Sequence, residues 1–278
     1  MPSLILEGGT FRPIFSAGIM DCLLANNIEF PYVIGVSAGI TNGVSYVSKQ
    51  SGRNLNVLKK FRHDKRYMSF SNLFKCQSLF GLDFIYEEIP EIHFPFDWDT
   101  YQAYQGRVLI GATNASTGKA EYFDGLKLGR QCHELRATCA IPLVFPAIEI
   151  GGQKYYDGGL ADPVPIRKAI EDGNEKHLII LTRCKGYTKT ESKQNQVAIK
   201  FLKKKYPHLV PVLNNRHIGY NETIQFCEQL EREGKAVILR PTTAIDSFEK
   251  DINKLEEAYQ MGYQLAQDNI EIIRALLK

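Results

Sequence analysis

The chain has 278 residues, of which 44% are hydrophobic and 23% charged, with a formal net charge of +3. That length can bury a sizeable core in one large α/β domain or two smaller ones, and the composition is ordinary for a soluble globular protein. The charge excess is too small to argue for nucleic acid, and the basic runs Lys59 to Arg66 and Lys203 to Lys205 read as solvated helix faces.

No basic start followed by an apolar run opens the chain, and no stretch approaches the roughly 18 apolar residues of a membrane span, so a cytoplasmic location is expected. Ser3 to Glu7 predicts a first strand, followed by Gly8-Gly9-Thr10-Phe11-Arg12-Pro13 and a helix from about Ser16. On that helix Met20, Leu23, Leu24 and Ile28 recur at i, i+3, i+4 and i+8. A glycine-rich strand-to-helix loop points backbone N–H groups above the sheet edge, where they can hold a phosphate or an oxyanion. Gly-X-Gly-X-X-Gly is absent, so a dinucleotide is not indicated.

Tyr32 to Val36 has the composition of a buried central strand, and Ala38 to Val47 that of a helix packed closely on a sheet. Between them lies Gly35-Val36-Ser37-Ala38-Gly39, the Gly-X-Ser-X-Gly pattern of a nucleophile elbow. The glycines leave room where strand and helix nearly collide, and Ser37 is pushed into the open at the positive end of the following helix.

Residues from about 55 to 100 are dense in aromatics without a clean period, which predicts a folded insertion whose aromatics finish the core; an apolar lid is the competing reading. Arg107 to Thr113 predicts a strand, Glu121 to Leu126 a strand ending in an Asp-Gly turn, and Arg130 to Ala140 a helix. Ala147 to Ile150 and Gln153 to Tyr156 predict a hairpin through Gly151-Gly152, ending in Asp157-Gly158-Gly159. Asp162-Pro163 predicts a helix start with aspartate as N-cap. Then follow a strand from His177 to Arg183, a polar surface loop from Thr188 to Gln196, helices from Val197 to Tyr206 and Val212 to Glu233, a strand from Ala236 to Arg240, and one long helix from about Phe248 to Leu277. The six cysteines, Cys22, Cys76, Cys132, Cys139, Cys184 and Cys227, contain no Cys-X-X-Cys pair and read as free, mostly buried thiols, with neither a metal site nor a disulfide framework.

A serine hydroxyl needs a base to take its proton, and the tetrahedral intermediate needs N–H donors. Of His63, His93, His133, His177, His208 and His217, none sits in a convincing catalytic loop.

The ordered motifs Glu7-Gly8-Gly9-Thr10-Phe11-Arg12, Gly35-Val36-Ser37-Ala38-Gly39 and Asp157-Gly158-Gly159 together resemble the patatin-like phospholipases. Ile141-Pro142-Leu143-Val144-Phe145-Pro146 and Leu160-Ala161-Asp162-Pro163-Val164-Pro165 are similar to that family as well. The likeness covers roughly residues 3 to 183, and the segment from about 197 is similar to the helical tail of a bacterial branch. The resemblance implies a three-layer α/β fold with a mostly parallel central sheet and helices on both faces. It implies a catalytic core at 1–185 and a C-terminal α/β extension at 186–278 packed on that core.

The resemblance further implies a Ser–Asp dyad, with Ser37 as nucleophile and Asp157 as base, and an oxyanion hole from the N–H groups of Gly8, Gly9 and Thr10. Arg12, Gly35, Gly39, Gly158 and Gly159 support the motifs. The implied reaction is hydrolysis of an acyl ester of a lipid through an acyl-serine, with no metal and no cofactor, and the implied partner is a lipid or acyl-ester substrate met in transient contact with a membrane surface. Thr10 stands where the family has a third glycine, and Pro13 where it has a glycine after the basic residue. A β-branched residue resists positive φ, so the loop is expected to take a conformation threonine accepts. Two other functions fit the residues: a Ser–His–Asp esterase, sensitive to a histidine substitution, and a catalytically silent lipid-binding protein, insensitive to Ser37→Ala.

Overall fold

The computed structural model describes residues 1–278, except for the side chains at 75 and 76, so Cys76 lies outside the described residues. Eight strands form one sheet: β1 (Pro2–Leu6), β2 (Tyr32–Val36), β3 (Arg107–Asn114), β4 (Ala120–Asp124), β5 (Ile148–Ile150), β6 (Gln153–Asp157), β7 (Lys176–Ile180) and β8 (Ala236–Leu239). Their order is β5-β6-β3-β2-β1-β7-β8, with β4 also paired to β3. The run from β3 to β8 is parallel and buried on both sides, which is why its strands are continuous in Val, Ile and Leu.

The helices are α1 (Ile14–Ala25), α2 (Ser37–Val47), α3 (Arg53–Phe61), α4 (Phe70–Cys76), α5 (Trp98–Gln102), α6 (His133–Thr138), α7 (Ile166–Glu171), α8 (Lys193–Leu202), α9 (Leu209–Arg232), α10 (Ile252–Asp268) and α11 (Ile270–Leu276), with a wide π-helical stretch over Phe84–His93. Side-chain alternation along the strands divides them into layers. Leu4, Leu6, Val33 and Ile180 face α1, α2 and α11, whereas Ile5, Ile34, Ile179 and Ile238 face α7 and α9. The three-layer α/β architecture expected from the sequence is therefore present.

The aromatic segment does two things. Phe61, Tyr67, Phe80, Phe84, Tyr86 and Trp98 are buried, while Phe70 and Phe74 on α4 are 78% and 91% exposed. The closest helix crossing joins the two ends of the chain: a Cβ on Gly18 of α1 or Gly262 of α10 would lie 2.0 Å from a carbonyl oxygen of the other helix. Among the described residues no helix is long and apolar enough to cross a membrane.

Local expectations fail in instructive places. Asp162 does not cap a helix; its carboxylate accepts the Tyr122 hydroxyl at 2.5 Å, and α7 begins only at Ile166. Pro165 disfavours helical geometry at Val164, which delays the start. The predicted helix at Arg130 to Ala140 shrinks to α6, preceded by Cys132 at φ 52°. The single C-terminal helix breaks at Asn269, where the backbone leaves helical geometry. Within the polar stretch Thr188 to Gln196, Lys189 folds inward over the Tyr220 ring, and α8 already starts at Lys193.

Candidate active site

Register along β3 builds the site. β2 runs beside β3 until Val36 pairs with Gly111, and there the chain turns away into α2. From Ala112 the vacated edge is taken by β6, running the opposite way, so that Asp157 pairs with Ala112, one residue beyond the partner of Val36. Two segments about 120 residues apart thereby end side by side, and the Ser37 hydroxyl donates to Asp157 Oδ2 at 2.7 Å.

Ser37 has φ 53° after an extended Val36 at φ −133°, the sharp strand-to-helix reversal of a nucleophile elbow. A non-glycine residue there is strained by about 1–3 kcal/mol, and close packing holds it in place. A Cβ on Gly39 would lie 2.4 Å from the Glu7 carbonyl oxygen, one on Gly35 2.7 Å from Leu6 Cβ, and one on Gly8 2.7 Å from Ser37 Cβ. The Ser37 N–H donates to Thr138 Oγ1 at 2.7 Å, and that hydroxyl donates to the Gly111 carbonyl at 2.5 Å. Thr138 is a support the sequence did not single out.

Asp157 is buried, 3% exposed. Its backbone N–H donates to Ala140, its carbonyl accepts from Thr113, and its Oδ1 accepts the Gly159 N–H at 2.8 Å. Burial raises the carboxyl above the ordinary aspartate value, opposed by the Ser37 hydroxyl, the Arg216 charge and the Gly159 N–H. Gly158 is forced: a Cβ there would lie 2.2 Å from the Gly111 carbonyl. Arg216 on α9, which the sequence reading passed over, donates from Nε to the Gly159 carbonyl at 2.9 Å. A cation on the inner side of an amphipathic helix was its only signal.

In the glycine loop, Thr10 stands at φ 55°, against the expectation that the loop would spare it, and Gly9 at φ 145°. Arg12 N–H closes the turn onto Gly9, and Phe11 N–H is tied to Ser247 of the C-terminal region, so the surroundings impose the strained angle. Among the described residues the N–H groups of Gly8, Gly9 and Thr10 make no intramolecular hydrogen bond, and Thr10 lines the same cleft as Ser37. Pro13 sits at the start of α1, where its missing N–H would have had no helical partner.

From Ser37 a cleft of about 1220 Å³, including its open mouth, extends along α2 and α3, walled by Phe11, Val44, Leu58, Phe80, Ile85 and Phe145. Cys139 lies beside it, its thiol pushed up to about 11 by burial, which leaves it protonated near neutrality. Arg53 Nε and Trp98 Nε1 are buried in the lining without a hydrogen-bond partner among the described residues. No histidine hydrogen-bonds to Ser37 or Asp157 among the described residues; His177 pairs with Ser3 at 2.7 Å, and burial lowers it to about 4.

A family model described as patatin-like phospholipase matches residues 4–170, and one described as a domain of unknown function, DUF6363, matches residues 206–278. The Escherichia coli K12 protein described as uncharacterized protein YjjU is 23% identical over 267 residues, covering 94% of this chain and 74% of its own length. The crystal structure of VipD from Legionella pneumophila aligns with a TM-score of 0.47 at 12% identity, covering 97% of this chain and 66% of that one.

Proposed function

The chain belongs to the patatin-like phospholipase family, and we propose that it is a serine acyl hydrolase that cleaves carboxylic esters of lipids with Ser37 and Asp157 as its catalytic dyad. One observation carries the reading: a strained serine donates at 2.7 Å to a buried carboxylate with a raised pKa at the head of an apolar cleft.

In this reading Asp157 Oδ2 takes the Ser37 proton as the oxygen attacks the ester carbonyl. Negative charge developing on the carbonyl oxygen meets the free N–H groups of Gly8, Gly9 and Thr10 and the N-terminal end of α2. Asp157 then gives the proton to the departing alkoxide, leaving an acyl-serine. Water, deprotonated by Asp157, attacks that ester and releases the fatty acid. Burial suits the carboxylate to this work, because a raised pKa makes it a stronger base than an exposed aspartate. Residues 1–185 serve as the catalytic core, and 186–278 as an extension that braces the glycine loop through Ser247. Exposed Phe70 and Phe74, on a segment whose flanks Tyr67 and Phe80 line the cleft, support transient contact with a lipid surface.

The test is ester hydrolysis across acyl chain lengths by wild type, Ser37→Ala, Asp157→Asn and His177→Ala, with phosphonate labelling of Ser37. Loss in the first two variants and retention in the third is the expected pattern. A wild type that neither turns over esters nor labels would leave the silent lipid-binding reading in its place.

A further inference from the structure

The apolar cleft has two ends. Ser37, the first residue of α2, stands at one of them, and Val47 ends that helix roughly 15 Å away at a rise of about 1.5 Å per residue. Arg53 opens α3 just beyond, and the segment that carries Phe94, Phe96 and Trp98 lies against it. Arg53 Nη2 donates to the Phe94 carbonyl at 3.1 Å, its guanidinium lies 5.4 Å over the Phe96 ring, and that ring meets Trp98 edge-on at 4.9 Å. Arg53, Phe96 and Trp98 all line the cleft.

Other polar side chains of the wall are satisfied. Asn42 donates to the Pro13 carbonyl, Asn54 donates to the Asn42 carbonyl and accepts from Ser45, and Tyr86 donates to the Leu135 carbonyl. Arg53 Nε and Trp98 Nε1 are both buried, and neither has an acceptor among the described residues. Nor is Arg53 ion-paired among the described residues. Lys49 and His93, which line a shallow polar depression together with Arg53, do have acidic partners, Glu29 at 2.7 Å and Glu88 at 3.0 Å. Buried donors are rarely left without acceptors, and a buried guanidinium without a counter-charge is more costly still. Here a guanidinium N–H and an indole N–H are orphaned at the same end of the same cleft, one aromatic ring apart.

We propose that Arg53 and Trp98 form a receiving site for a carboxylate at the tip of the acyl chain, remote from the ester that Ser37 attacks. This inference rests on the acyl-hydrolase reading and narrows it: the acyl half comes from a terminally oxidised, dicarboxylic chain rather than from a plain fatty acid. Guanidinium and indole N–H groups donate and cannot accept, so their complement is an acceptor-only group, and the positive charge selects an anionic one. A hydroxyl tip would bring a donor that neither of them can receive. A hydrocarbon tip would leave both donors unpaired, and a site built on buried donors discriminates strongly against an analogue that lacks the acceptor. An extended chain advances roughly 1.2 Å per bond, so the distance along α2 corresponds to an acyl group of about twelve carbons.

Trp98 also supplies the readout. It is the only tryptophan of the chain, so its emission reports on this end of the cleft with no other indole contributing. A carboxylate accepted by Nε1 is expected to shift that emission, and a hydrocarbon tip that leaves Nε1 unpaired to shift it less.

The experiment titrates the full chain carrying Ser37→Ala, followed by Trp98 emission, with three methyl esters of a saturated chain of about twelve carbons: plain, with a terminal carboxylate and with a terminal hydroxyl. The titrations are repeated with Arg53→Gln or Arg53→Lys added, and kcat/KM for the corresponding p-nitrophenyl esters is measured on the wild-type background. The carboxylate ester is expected to be bound and cleaved in preference to the plain ester by about tenfold or more, with the hydroxyl ester between them. Arg53→Gln is expected to remove that preference and Arg53→Lys to retain part of it; Trp98→Phe, read by hydrolysis, is expected to lower it by a smaller factor. The preference is a ratio of two esters on one protein, so a general loss of rate or of folded fraction cancels from it. A plain ester bound as tightly as the carboxylate ester, a preference that survives Arg53→Gln, or no binding of any of the three would overturn the site. A hydroxyl ester preferred over the carboxylate ester would overturn the anionic assignment. Hydrolysis is a separate readout: a chain that prefers the carboxylate ester in binding but cleaves no ester refutes the acyl-hydrolase reading and keeps the site.

Discussion

The two sides of Ser37 are built from opposite materials. On one side α2, α3 and the aromatic insertion enclose a cleft walled by aliphatic and aromatic side chains. On the other, the helix α9 brings Arg216 onto the Gly159 carbonyl beside the strand end that carries Asp157, and Lys189 packs over Tyr220 of the same helix. Ser37 and Asp157 therefore lie between an apolar cleft and a strand end that feels the positive charge of Arg216 and Lys189.

The largest effect expected is at the boundary itself. Ser37→Ala or Asp157→Asn should lower kcat/KM on any ester by about 10⁴-fold or more, measured under conditions where both variants retain native circular dichroism. A comparable loss in His177→Ala would instead favour a histidine-dependent mechanism.

Blocking the apolar side comes next. Val44 is 5% exposed and lines the cleft, so Val44→Trp should fill the channel and reduce kcat/KM for long-chain esters by roughly ten- to a hundredfold. Short-chain esters should lose less. Equal losses across chain lengths would place the acyl chain elsewhere.

The charged side is read through pH. Asp157 must be ionised to act as base, so kcat/KM should fall as pH drops through its raised pKa, leaving an acid limb above the ordinary aspartate range. Arg216 lowers that pKa, so Arg216→Gln should move the limb to higher pH, while a merely structural role would lower the rate without moving it.

The smallest effect separates strain from chemistry. Thr10 at φ 55° carries a conformational cost that glycine does not. Thr10→Gly should raise stability by about 1 kcal/mol after the entropy lost to the more flexible unfolded chain is counted, visible in the denaturant midpoint. A large gain in turnover alongside it would identify the loop's geometry as limiting.

Pieces whose signal is local could be read from the residues alone. β2 at Tyr32–Val36 was legible to the residue, and the hairpin through Gly151 and Gly152 fell at its predicted place, because period-2 patterns and turn glycines at φ 57° and 77° act over a few residues. The tight packing of Gly35 and Gly39 was equally readable, since an elbow leaves no space for a Cβ. The remainder was set by the assembled fold. It turned Asp162 to Tyr122 instead of a helix end, set Thr10 in a conformation its side chain resists, and drew Lys189 out of a polar stretch onto Tyr220. It also joined Ser37 to Asp157 by letting β6 take the edge of β3 that β2 leaves at Gly111. Such contacts join residues tens to hundreds of positions apart, and the free energy that fixes them comes from burial and charge in the assembled fold, which no window along the chain contains.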